Sequence, residues 1–113
     1  MTQPEESPAR GVVRVSTPGS PAFQLRPGEE GISVFDPEAV TPPLAEEEIL
    51  ESFRPESQSV VRSVAELEAK GLEVVPTEGA ESLPERLRLA HREIRPRAGM
   101  TRQQFKKALR EVE

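Results

Sequence analysis

The chain has 113 residues, of which 35% are apolar and 12 are proline, and it carries a formal net charge of −5. It contains no cysteine and one histidine, which excludes disulfides, thiolate metal sites and multi-histidine metal sites within one chain, and we predict no metal. No apolar run approaches the roughly 18 residues of a membrane span, and the first residues lack an apolar signal-peptide core. Both observations favour a soluble cytoplasmic protein. We predict a single domain over residues 11–113 and a flexible tail at 1–10.

The first half of the domain predicts two strands and a helix. GVVRVST (11–17) and GISVFDP (31–37) are short runs rich in β-branched residues, and a Pro27-Gly28 turn lies between them. TPPLAEEEILESF (41–53) predicts a helix with Thr41 as its N-cap, early glutamates near its positive end, and Ile49, Leu50 and Phe53 as its buried stripe.

The second half alternates strands and helices three times. SQSVVR, LEVVP and HREIRP predict strands at 57–62, 72–76 and 91–96. The helices between and after them carry capping-box patterns, at Ser63 with Glu66, Ser82 with Glu85, and Thr101 with Gln104. Gly71 is typical of a helix end. The order of elements predicts a compact α+β domain, with a small mixed or antiparallel sheet and short flanking helices.

Polar residues interrupt the alternating pattern of three predicted strands. Ser33 faces away from Ile32 and Val34, and His91 and Glu93 face away from Ile94. Arg14 likewise lies opposite its two valine neighbours in the first strand. If the polar faces line one cleft, they form a site with a cation, a hydroxyl, an imidazole and a carboxylate. Alternatively, each is the solvent side of an amphipathic strand.

Charge is distributed unevenly along the chain. Residues 86–113 carry nine Lys/Arg and three Glu, a net of +6, whereas the residues before them carry a net of −11. The basic segment could bind an anionic partner, or it could complement the acidic segment within the fold. Nucleic acid is disfavoured as a nonspecific partner, because the chain is acidic and has four Phe but no Trp or Tyr for base stacking.

Three stretches of the chain resemble a known family. GISVFDP, AHREIRP and GMTRQQFKKAL resemble the bacterial type VI secretion toxins with an ADP-ribosyltransferase-like fold, which act in the cytoplasm and depend on NAD. The resemblance implies a cleft framed by Ser33 and His91, with Asp36 completing the first motif. ADP-ribosyltransferases of the Arg-Ser-Glu type place these residues on a first, a middle and a late strand, an order that Arg14, Ser33 and Glu93 follow.

The resemblance also implies roles for these residues. Arg14 would bind a phosphate of NAD, Ser33 and His91 would hold the nicotinamide ribose, and Asp36 would belong to the cofactor-binding set. Glu93 would stabilise the positive charge that develops on the ribose and orient the acceptor. The implied catalytic set is Arg14, Ser33, His91 and Glu93.

Two functions from different classes fit the sequence. The first is an antibacterial effector enzyme that uses NAD to modify an intracellular macromolecule, reaches the target cell through a secretion system and has a cognate immunity protein. The second is a non-enzymatic immunity protein, antitoxin or adaptor that binds a partner protein. The sequence leans towards the enzyme, without a membrane partner.

Overall fold

A computed structural model describes residues 10–113, so residues 1–9 of the predicted tail lie outside the described part of the chain. In that part, five strands and four α-helices follow one another in the predicted order. The strands are β1 (Gly11–Ser16), β2 (Ile32–Phe35), β3 (Gln58–Ser63), β4 (Leu72–Pro76) and β5 (His91–Pro96). The helices are α1 (Glu46–Leu50), α2 (Val64–Ala69), α3 (Glu85–Ala90) and α4 (Arg102–Glu111), with a 3-10 helix (Pro37–Ala39) before α1. Within residues 10–113, no helix has the length and apolar character needed to cross a membrane.

The strands form one sheet in the order β3-β1-β2-β5-β4, and every neighbouring pair is antiparallel. Six residue pairs join β1 to β3. The ladder between β1 and β2 consists of the Val13–Phe35 pair, so these two central strands separate beyond it. The predicted α+β class is confirmed, and its small sheet is antiparallel.

The larger apolar cluster lies on one face of the sheet, where α2 and α4 cover it. Leu67 of α2 and Phe105 and Leu109 of α4 are almost fully buried there. The strand residues of this cluster are Val12, Ile32, Val34, Leu72 and Ile94. Most of the apolar area that stabilises the domain is therefore buried between the sheet and these two helices.

A smaller apolar cluster lies on the opposite face. α1 contributes Ile49 to it, and α3 contributes Leu87 and Ala90, which pack towards Val13 and Phe35 of the sheet. α1 and α3 have five and six residues, respectively. Because such short helices cover little of the sheet, part of this face stays open between them.

The first helix is shorter than predicted. The expected N-cap Thr41 lies outside α1, which begins at Glu46 after an extended Ala45 (φ −83°, ψ 154°). Thr41 and Pro42 each precede a proline, which disfavours helical backbone at both positions. Leu44 then docks in the smaller apolar cluster and donates its N–H to the Pro37 carbonyl at 3.1 Å. The helix therefore starts at the glutamate run, about one turn later than a Thr41 N-cap would place it.

Two of the three predicted capping boxes form. Ser63 and Glu66 cap α2, and Thr101 and Gln104 cap α4, each pair with both reciprocal hydrogen bonds. Ser82 makes no such bond, because α3 begins after Pro84, which is its N-cap. A proline inside the box places the helix start two residues later than the pattern indicates.

This difference predicts opposite outcomes for two identical substitutions. Ser63→Ala is expected to lower the free energy of unfolding by about 1 kcal/mol, because it removes the acceptor of the Glu66 N–H. Ser82→Ala is expected to leave that free energy nearly unchanged, since Ser82 caps no helix in the structure. Urea denaturation of both variants is the measurement, and equal losses would contradict the assignment of the α3 start.

Candidate functional site

A cleft with a volume of about 330 Å³ opens on the less covered face of the sheet. Its walls come from β1, β2 and β5 and from the loops that follow α1 and precede α3. The side chains that line this cleft include Arg14, Ser33, Phe35, Phe53, Leu83 and His91. Three of the four residues predicted to be catalytic, Arg14, Ser33 and His91, thus lie together in it.

The register between β2 and β5 brings Ser33 and His91 to the same surface. Phe35 lies opposite His91, and Ser33 lies opposite Glu93, so all four share one face of the sheet. This is the face that the alternation in the sequence predicts for them. The Ser33 side chain is exposed, which leaves its hydroxyl accessible from the cleft.

Arg14 reaches the cleft by another route. It follows Val13 in β1, so it points to the opposite face of the sheet from Val13 and Phe35. Because β1 and β2 separate beyond that pair, the Arg14 guanidinium occupies the gap between the strands. Its Nε donates to the Ala22 carbonyl at 2.7 Å, and its Nη1 donates to the Ser33 carbonyl at 3.0 Å.

The Arg14 guanidinium makes its hydrogen bonds to neutral backbone carbonyl groups. Burial lowers the pKa of this guanidinium from its usual value, while the carboxylates of Glu29 and Glu113 oppose that shift. An arginine remains protonated under such conditions. The ion pairs within residues 10–113 do not include Arg14. A half-buried positive charge that contacts two carbonyls therefore lies at the cleft, where it attracts an anion.

His91 is a neutral group at the base of the cleft. It is 8% exposed, and burial lowers the pKa of its imidazole below the usual 6.5, although the Glu93 carboxylate opposes the shift. Its Nδ1 lies 2.7 Å from the Thr77 hydroxyl oxygen, an interaction that fixes the ring orientation. Nε2 is the ring nitrogen that remains for a ligand.

An aromatic wall lines the cleft beside His91. The Phe35 ring makes edge contacts with the His91 ring, at 5.6 Å between centroids, and with the Phe53 ring, at 6.0 Å. Phe53 is 36% exposed and lies after α1, not in the buried helical stripe predicted for it. Such a wall suits a flat ring, whose face or edge can pack against the exposed part of Phe53.

Glu93, the fourth predicted catalytic residue, lies next to the cleft but does not line it. Its carboxylate accepts a hydrogen bond from Arg95 Nε at 2.8 Å and forms an ion pair with Arg95 Nη2 at 2.8 Å. A Cβ atom placed on Gly31 would lie 2.9 Å from Glu93 Oε1, so the carboxylate extends along β5 away from His91 towards Gly31. The negative charge of Glu93 still raises the pKa of the His91 imidazole, against the larger lowering that burial causes.

Asp36, predicted to bind cofactor, is buried at the end of β2. Its carboxylate accepts the Glu38 N–H at 3.0 Å and forms an ion pair with Arg10. It is not among the side chains that line the cleft. These contacts cap the 3-10 helix, so the structure gives Asp36 a structural role at the end of β2 and does not bring it into the cleft.

No family model, curated protein or solved structure matches this chain. The function therefore has to be inferred from the cleft and its chemistry. Within residues 10–113, no group of three or more His, Asp or Glu side chains is arranged to hold a metal ion.

The structure adds residues that the sequence did not assign to the site. Phe53 and Leu83 line the cleft, and Thr77 contacts His91. All three lie in loops, where no periodic pattern of residues predicts a site. The exposure of Phe53 has one sequence signal, its position just before Arg54-Pro55, where a helix ends.

The basic segment is largely engaged within the fold. Arg86 forms a bidentate ion pair with Glu48, and Arg102 donates hydrogen bonds to the backbone carbonyls of Arg26 and Glu29. These contacts favour the interpretation that the basic segment complements the rest of the domain. The Arg14 charge thus differs from these surface cations in its burial and in its position beside a cavity.

Proposed function

We propose that the cleft binds NAD and that the domain is an effector toxin of the ADP-ribosyltransferase type, acting on a macromolecule inside the target cell. The observation that carries this proposal is the half-buried Arg14 guanidinium, bonded to two carbonyls in the same cleft as Ser33 and His91. The resemblance of the three sequence stretches supplies the identity of the ligand.

The dimensions of the cleft support binding of one half of the dinucleotide. A volume of about 330 Å³ is near the lower end of the range for small-molecule pockets. It suits the nicotinamide ring and its ribose, with the ring against the aromatic wall at Phe53 and the pyrophosphate near Arg14. Ser33 and His91 Nε2 would then hydrogen-bond the ribose hydroxyls, and the adenosine half would lie outside the cleft.

The proposed reaction transfers ADP-ribose to a nucleophile of the target. The bond between nicotinamide and the ribose breaks, nicotinamide leaves with the bonding electron pair, and the nucleophile bonds to the same ribose carbon. Glu93 stabilises the positive charge that develops on the ribose and orients the nucleophile, as expected from the resemblance, and it also accepts the proton that the nucleophile loses. These roles require its carboxylate to leave Arg95. A cell that makes such an enzyme needs a cognate immunity protein.

The test is calorimetric titration of the protein with NAD. Arg14→Gln is expected to weaken NAD binding by about tenfold or more, because a charged hydrogen-bond donor to phosphate is lost. Arg110→Gln, on the exposed surface of α4, provides a matched control with unchanged affinity. Binding by the native protein should also weaken as salt is added. No heat at millimolar NAD, or equal affinity in both variants, would overturn the proposal.

One observation favours the second candidate, a non-enzymatic immunity protein, antitoxin or adaptor. Glu93 is paired with Arg95 and lies outside the side chains that line the cleft, an arrangement suited to binding without transfer. Under this alternative the chain is harmless when expressed, and it co-purifies with a partner protein whether or not NAD binds.

A further inference from the structure

Glu113 makes the longest-range polar contacts of the network behind the cleft. Its two carboxylate oxygens accept the backbone N–H groups of Ala22, at 2.9 Å, and Phe23, at 2.5 Å. The carbonyl of the same Ala22 accepts the Nε of Arg14 at 2.7 Å. One residue thus connects the end of α4 to the cation of the cleft, across about ninety positions of sequence.

The contacted turn is buried and firmly placed. Ala22 and Phe23 are 6% and 2% exposed, and both belong to the larger apolar cluster. Buried N–H groups without an acceptor destabilise the backbone that carries them, so the Glu113 carboxylate determines where this turn lies. Glu113 is itself restrained, because the Val112 carbonyl beside it accepts the Arg62 Nε at 2.5 Å.

The position of the Arg14 guanidinium depends on that turn. Two carbonyls orient it, one from Ala22 and one from Ser33. The Ser33 carbonyl is fixed by the sheet, whereas the Ala22 carbonyl belongs to a loop that the Glu113 contacts hold. We infer that Glu113 is a positioning residue: through the turn at Ala22, it fixes the Arg14 guanidinium in the orientation that receives an anion.

The alternative to positioning is a purely electrostatic role, and it predicts the opposite sign. The negative charge of Glu113 acts on Arg14. If charge were its whole effect, removing the carboxylate would strengthen anion binding at Arg14. If Glu113 positions the guanidinium, its removal weakens binding even though the local charge becomes more positive. The ligand part of this inference depends on the proposed function, whereas the positioning itself does not.

The first experiment needs no ligand. In Glu113→Ala, the NMR signal of the Arg14 Nε–H is expected to shift and its hydrogen exchange to accelerate, since the Ala22 carbonyl is no longer held. Glu111→Ala is the matched control, because Glu111 is the last residue of α4, two positions before Glu113, and pairs with Lys70 on the surface. An unchanged Arg14 signal in folded Glu113→Ala would overturn the inference. If that variant does not fold, Glu113→Gln, which retains one acceptor oxygen, is measured in its place.

The second experiment adds NAD. Glu113→Ala is expected to weaken NAD binding by about tenfold, an effect that disappears in the Arg14→Gln background. By reciprocity, NAD is expected to slow hydrogen exchange at the Ala22 and Phe23 amides of the native protein. Tighter NAD binding by Glu113→Ala would contradict positioning. If the native protein does not bind NAD, the proposed function fails, and the ligand-free Arg14 signal still decides the role of Glu113.

Discussion

Leu87→Ala is expected to lower the free energy of unfolding by about 2–5 kcal/mol, the usual loss for a buried leucine. Leu87 is fully buried in the smaller apolar cluster below α3. Leu89→Ala, two residues later on the same helix, is expected to change that free energy by less than about 0.5 kcal/mol. Leu89 is 59% exposed, so its truncation leaves no internal cavity.

Urea denaturation of the two variants measures the difference directly. The smaller cluster is held by few residues, so a cavity at Leu87 also loosens α3 and the Leu83 side of the cleft. We therefore expect Leu87→Ala to increase hydrogen exchange in residues 85–90 beyond the global loss of stability. Similar losses for Leu87→Ala and Leu89→Ala would mean that α3 does not pack on the sheet as described.

The element order could be predicted because its signals are local. Ser63 with Glu66, and Thr101 with Gln104, satisfy each other within one helical turn, and Gly71 adopts φ 84° at the end of α2. Such patterns indicate a helix start or end from residues within one turn, and the Ser82–Glu85 pattern failed because Pro84 lies inside it. The predicted face of Ser33 and His91 is local for the same reason, since it follows from alternation along one strand.

The features that the sequence predicted wrongly, or did not predict, depend on tertiary contacts. Leu87 and Leu89 are equivalent in the sequence, and packing against the sheet decides which one is buried. Leu44 docks in the smaller apolar cluster just before α1, which adds to the local effect of Pro42 and Pro43 on the start of that helix. No pattern of neighbouring residues in the sequence predicts these tertiary contacts.

The site was predictable only where it depends on local alternation along single strands. Ser33 and His91 meet through one strand pairing, which alternation and strand order make plausible. Arg14 enters the cleft because β1 and β2 separate after one residue pair, and its partner Ala22 is held by Glu113. A contact between positions 22 and 113 has no signature in a single sequence, so the support of the cation became visible only in the structure.

The largest functional effect is expected at Glu93. Under the proposed transfer reaction, Glu93→Gln should lower the rate of ADP-ribose transfer by about a hundredfold to ten-thousandfold, because the proton acceptor is lost. NAD affinity should change by less than about twofold, since the Glu93 side chain does not line the cleft that holds the ligand. This separation of rate from binding distinguishes Glu93 from Arg14.

Glu73→Gln is the matched control for that substitution. Glu73 lies opposite Arg95 in β4, so it shares the sheet face of Glu93 but belongs to the neighbouring strand. Transfer is measured as nicotinamide release and as label incorporated from NAD into proteins of a bacterial lysate, with growth of expressing cells as the cellular readout. Glu73→Gln should retain both the activity and the toxicity of the native chain.

The ion pair between Glu93 and Arg95 allows a further test of the role of Glu93. Arg95→Gln removes the partner that holds the carboxylate, so it should leave transfer intact or increase it if Glu93 acts as the proton acceptor. Undiminished transfer by Glu93→Gln would remove the catalytic role from this residue. NAD binding without transfer by the native protein, together with harmless expression, would assign the cleft to a binding module. In such a module the Glu93–Arg95 pair would stabilise β5 and take no part in chemistry.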